Sequence, residues 1–160
     1  MYITDFVLEN YNLLKIFYGI AITLICFIIV YRVDKLFRLS LHQGIRYFRN
    51  AFLFYGLAFF FRYLTDSVLP YYFSEFLFEF FLVMAGFFLL YSLVWRDIEY
   101  STNDPKSSLF NLRILIFYSM AIIITILDYL WVTHSVMFFS QIIVFLTATI
   151  IGYYNFINIP

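Results

Sequence analysis

Five apolar runs, each near the roughly 20 residues that a helix needs to cross hydrocarbon, take up most of this 160-residue chain. They cover positions 12–31, 48–69, 72–95, 112–131 and 136–156. Hydrocarbon supplies no water to backbone N–H and C=O groups, so a spanning segment is either a helix or a strand of a closed barrel. Barrel strands alternate polar and apolar residues, and stretches such as Leu57 to Phe61 do not. The expected fold is therefore all-α: an integral membrane helical bundle of about five transmembrane helices. It is expected to form a single domain over 1–160, with no soluble domain.

Charge agrees with this. Charged residues make up 12% of the chain, against about a quarter in an average soluble domain. The formal net charge is zero, which gives no electrostatic basis for nucleic acid as a partner. Cys26 is the single cysteine, so no intrachain disulfide forms, and its position inside the first run suits a small buried side chain. Asp5 and Glu9 precede that run in place of a basic cluster. It is therefore expected to be a retained anchor and not a cleaved signal.

The connections carry their own signals. Residues 32–50 are basic and amphipathic, and Ser40 with Gln43 fits a capping box that starts the second helix. Pro70 enforces a turn. Asp104 and Pro105 suit the cap and first residue of a helix leading into the fourth span. Eight of the ten basic residues fall in segments 32–50 and 96–113. Positively charged loops stay inside, so the N-terminus is expected outside and the C-terminus inside.

With that topology the remaining ionisable residues converge. Lys15, Arg62, Asp66, Glu75, Glu79, Asp128 and His134 are scattered through the sequence, yet all map to the outer third of the membrane. Arg62 and Asp66 are four residues apart, as are Glu75 and Glu79, so each pair shares a helix face. Ionisable groups in spans face partners or water and not lipid. Arg62 can then pair with Glu79 or Asp66, and Lys15 with Glu75 or Asp128. Two readings stay open: an interhelical ion-pair network that sets register, or an outward cavity for a cation, a proton or a small cationic ligand.

Arg32, Lys35, Arg38, Arg46 and Arg49, interleaved with Leu36, Phe37 and Leu39, are expected to hold anionic lipid headgroups at the inner face. The stripes Lys15, Gly19, Ile22, Cys26 and Gln141, Phe145, Ala148, Gly152 read as packing seams. FYGLA at 54–58 parallels FYSMA at 117–121. Ser74-Glu75 with Gly86 parallels Ser140-Gln141 with Gly152, which suggests two related hairpins. His42 and His134 share no ligand spacing, so neither a metal nor a cofactor is expected. Phosphate loops, HExxH and Gly-x-Ser-x-Gly are missing from the sequence, and an enzyme is disfavoured.

The segment HQGIRYFRNAFLFYGLAFFFRY, His42 to Tyr63, resembles the second-helix region of membrane-embedded input domains in prokaryotic, especially archaeal, sensor proteins. The resemblance covers about 22 residues. It implies a sensing bundle that works through a partner, since no output domain follows the last run. The Phe- and Tyr-rich composition is also similar to that of accessory subunits encoded in AT-rich organellar genomes. The expected role is a non-enzymatic sensing or interaction module of a larger membrane complex, with a membrane-protein partner or a second copy of itself. The alternatives are a small cation or proton transporter or channel, and an accessory respiratory subunit. The expected location is a prokaryotic plasma membrane, with the mitochondrial inner membrane as the alternative.

Overall fold

A computed structural model of the protein describes residues 10–40, 43–64, 70–99, 112–131 and 135–157. Each of these segments is helical, and no strand occurs among the described residues. The helices are α1 (Tyr11–Ser40), α2 (Gln43–Leu64), α3 (Tyr71–Glu99), α4 (Leu112–Trp131) and α5 (Ser135–Ile157). Four of them contain spans long and apolar enough to cross a membrane: Leu13–Arg38, Tyr71–Val94, Ile114–Trp131 and Ser135–Tyr154. The protein is a membrane-embedded helical bundle.

The fourth expected span coincides with α4, and the fifth is one residue short of α5 at each end. The first two differ more. The basic segment after position 31 continues α1 through Ser40, with no glycine or proline before Gly44 to stop it. An Arg38–Asp34 pair at 3.2 Å, one turn apart, supports the extension. At about 1.5 Å per residue, α1 is longer than the hydrocarbon core is thick. Its last turns carry Arg32, Lys35 and Arg38, all exposed. The second expected span, 48–69, lies on α2, but α2 is not among the four clear spans. Arg46, Arg49 and Asn50 precede its uninterrupted apolar stretch and Arg62 follows it. It is sheltered between α1 and α3. Residues 65–69, 100–111 (with the Asp104–Pro105 start signal) and 132–134 lie outside the described residues.

The helices pack in chain order: α1 on α2, α2 on α3, α3 on α4 and α5, and α4 on α5. On α2, Tyr47, Ala51, Phe54 and Ala58 are buried, at the spacing of one helix face. They meet Val83, Met84, Ala85, Phe88 and Tyr91 of α3, with Ile114 and Ala121 of α4 closing the core. Aromatic contacts fix the register. Tyr47 lies against Phe88 and Tyr91, Phe54 stacks on Phe88 at 5.1 Å, and Phe59 meets Phe78 edge-on at 5.9 Å. As numbering rises on α2 it falls on α3, so the two run antiparallel.

Small residues set the α1–α2 distance. A Cβ on Gly56 would come within 2.9 Å of Cys26 Cβ, and one on Gly19 would overlap the Cβ of Tyr63. The expected seam of Gly19 and Cys26 is present. The expected seam on α5 is present only in part: among the described residues Gly152 has nothing within 4 Å, and Phe145 is exposed. Of that stripe Gln141 meets α3, together with Val144, both next to Gly86. Beside the α1–α2 seam, Thr23 is 5% exposed and its buried hydroxyl oxygen has no hydrogen-bond partner among the described residues. Thr23→Val keeps the shape and removes that cost, so it should raise stability in detergent unfolding by about 1 kcal/mol.

Candidate functional site

Interhelical contacts place the scattered ionisable residues at two ends of the bundle. On α1, Lys15 Nζ lies 5.7 Å from the centre of the Tyr63 ring of α2. One residue earlier on α2, the Arg62 guanidinium sits 4.4 Å over Phe78 of α3. Tyr18, Phe59 and Tyr63 complete an aromatic chain across these three helices. Both cations thus rest on ring faces, an interaction that gains strength away from water. Composition signalled the rings, but the sequence-based expectation considered only carboxylates as partners.

The carboxylates lie at the same end. Glu75, half-buried, accepts the hydroxyl of Tyr71 at 3.2 Å. Glu79, one turn further along α3, is 5% exposed. Asp128, in the last turn of α4, is 0% exposed. Its Oδ1 accepts the backbone N–H of Met137 at 3.0 Å, and its Oδ2 is buried as well. Met137 is in the first turn of α5, where backbone N–H groups have no partner within their own helix. Asp128 therefore caps α5 from the neighbouring helix, and its charge faces the positive end of the α5 dipole.

Register puts Glu79 and Asp128 at one depth. Gln141 Nε2 of α5 donates to the carbonyl oxygen of Leu82 at 3.3 Å, and Val144 packs at Gly86. One turn back from those contacts, Met137 lies level with Phe78 and Glu79, and Asp128 is bonded to Met137. The two buried carboxylates therefore sit at the same level on adjoining helices. Ser74, 2% exposed, donates to the Phe61 carbonyl at 2.6 Å nearby. Lys15 and Asp128, by contrast, are on helices that do not pack on each other. Asp66 and His134 lie outside the described residues.

The opposite end holds the bases. Asp34 of α1 accepts from Arg49 of α2 as well as from Arg38. Arg49 also donates to Asn50 Oδ1 at 3.2 Å, and Asn50 is 1% exposed. Arg46 lies 5.8 Å over Phe37. Of the five residues expected to meet headgroups, Arg49 is thus engaged inside the bundle, tying α1 to α2. Sequence spacing could not show this bond, because it spans the turn between two helices. Replacing Arg49 with Ala should lower the detergent-unfolding midpoint clearly. Replacing Arg38, whose side chain is 80% exposed, should change it little.

One more feature lies a turn deeper than the carboxylates. α2 and α5 both pack on α3 but not on each other, and a groove of about 410 Å³ remains between them. Ala85 and Gly86 form part of its floor, Tyr55 and Phe59 one wall, and Gln141 and Phe145 the other. Among the described residues no group of three His, Cys, Asp or Glu is placed to hold a metal ion.

A protein of Archaeoglobus fulgidus is similar to this chain. The two are 36% identical over 98 aligned residues, which take in 51% of this chain and 43% of that protein, described only as uncharacterized. The chain thus spans less than half the length of this relative. No family model matches the sequence, and no solved structure matches it.

Proposed function

We propose that the protein is a non-enzymatic sensing or interaction module of a larger membrane complex, and that the polar end of α3 and α4 is its responsive part. The observation that carries this is the pair of carboxylates, Glu79 and Asp128, buried to 5% and 0% exposure at one depth on adjoining helices. Ionisable groups at such depth are costly, and they mark functional positions more often than fillers. On this reading the acidic end faces outward, the N-terminus is outside, and exposed Arg32, Lys35 and Arg38 meet anionic headgroups at the inner face. A transport pathway is less well supported. Past Glu79, the buried residues of α3 are Val83, Met84, Ala85, Phe88 and Tyr91, which offer an ion no charged group along that face. The similarity to an archaeal protein is compatible with a prokaryotic plasma membrane.

The test is gentle purification of the tagged chain from native membranes, beside a Glu79→Gln variant, with mass spectrometry of what accompanies each. The expected result is a stoichiometric membrane-protein partner whose occupancy or activity changes in the variant. A chain that purifies alone, or that moves protons or sodium ions in proteoliposomes, would overturn the proposal.

A further inference from the structure

We infer that the groove between α2, α3 and α5 is a binding site for a lipid-soluble molecule with a hydroxyl group on a long hydrocarbon chain, held through Gln141. This inference is independent of the proposed sensing role. It starts from where the groove is. Its floor is the middle of α3, a clear membrane span, and its far wall is α5, another. A gap at that depth opens sideways to hydrocarbon and not to water, so its occupant is apolar. The volume of about 410 Å³ falls within the range of about 300–1,000 Å³ usual for small-molecule sites. The small residues Ala51, Ala85 and Gly86 keep it open.

One polar side chain in this apolar lining selects the ligand. The Gln141 amide spends one donor on the Leu82 carbonyl. Its oxygen lies 3.6 Å from where a Gly86 Cβ would be, at the floor of the groove, and accepts no hydrogen bond among the described residues. An amide oxygen has room for two donors, and in hydrocarbon an unmet acceptor is costly. A plain acyl chain leaves it unmet. A ligand hydroxyl can donate to it, while the chain fills the space between Phe59, Leu89 and Phe145. A carbonyl or ether has no proton to give, so the hydroxyl is the chemistry the site specifies.

The full-length protein in nanodiscs of a single defined phospholipid should be photolabelled with a diazirine derivative of hexadecanol. The matched probes are the corresponding alkane and methyl ether. Saturable labelling of peptides from α3 and α5 around Gly86 and Gln141 is expected, with unlabelled hexadecanol competing about fivefold better than its methyl ether, as one hydrogen bond predicts. Gln141→Leu should abolish that preference while keeping the protein inserted. Gln141→Met, close to it in length, should also abolish the preference and serves as a second probe if Gln141→Leu fails to insert. Equal labelling by alcohol and alkane would mean a groove filled by ordinary lipid chains, and would overturn the inference. So would a preference unchanged in the Gln141 variants, or no labelling at these helices.

Discussion

Gly19→Ala is expected to destabilise the bundle by about 2–3 kcal/mol, whereas Gly152→Ala is expected to be neutral or slightly stabilising. Both exchanges add one methyl to a helical glycine, and in an open helix that change is favourable by up to about 1 kcal/mol. The surroundings set the sign. At Gly19 the new Cβ would collide with the Cβ of Tyr63 and come within 2.6 Å of its Cγ and 2.7 Å of its Cδ2. A Cβ moves only with its backbone, so α1 and α2 must separate. Separation would also pull Lys15 away from the Tyr63 ring and Tyr18 away from Phe59. Little hydrophobic gain resists this, because lipid is as apolar as the helix face, and close packing is the main force holding such helices together. At Gly152 nothing lies within 4 Å. Equilibrium unfolding of the two variants in mixed micelles, scored by helix content and Tyr fluorescence, gives the comparison. Equal midpoints would show that α1 is held on α2 by something other than close approach at this glycine.

Why one glycine stripe was legible in the sequence and the other was not is instructive. Gly19 and Cys26 lie on a common face at helical spacing, and so do Gln141 and Gly152. Periodicity reports a helix face, but not whether another helix covers it. On α1 the face meets α2. On α5 the turn with Gln141 and Val144 meets α3, while Phe145 is exposed and, among the described residues, Gly152 meets nothing. The suggested duplication divides in the same way. Ala58 and Ala121, equivalent positions of FYGLA and FYSMA, are both 0% exposed, while Gly86 is packed and Gly152 is open. The apolar runs of four helices were legible because hydropathy is a property of one helix at a time. The clustering of Lys15, Arg62, Glu75 and Glu79 at one end was legible for a related reason: in a chain of consecutive membrane helices, sequence position gives depth. The ring contacts and the bond between α1 and α2 depend instead on register between helices. Hence Arg62 rests on Phe78, and Arg49 is drawn into the bundle by Asp34.

Asp128 offers the sharpest distinction between a structural and a responsive role for the polar end. Asp128→Ala should cost about 2–3 kcal/mol. It strips the cap from the Met137 N–H, a half-buried donor in the first turn of α5 that no carbonyl of its own helix can reach. It also leaves a void where the side chain is 0% exposed. Asp128→Asn keeps an acceptor oxygen of the same size for the Met137 N–H, while it turns the buried Oδ2 into an NH2 donor and loses the charge, together with its attraction to the positive end of the α5 dipole. Its cost should therefore be about 1 kcal/mol or less. Unfolding midpoints of both variants in mixed micelles check these values, and a midpoint for Asp128→Ala as high as that of the wild type would remove the capping role. If the charge serves only to hold α5, Asp128→Asn should also retain every partner of the wild-type protein in native-membrane purification. If the polar end is the responsive element, the same variant should stay folded and lose the response. Because the amide conserves the hydrogen bond to Met137, a loss of function in Asp128→Asn without a loss of stability can be assigned to the carboxylate and not to the cap.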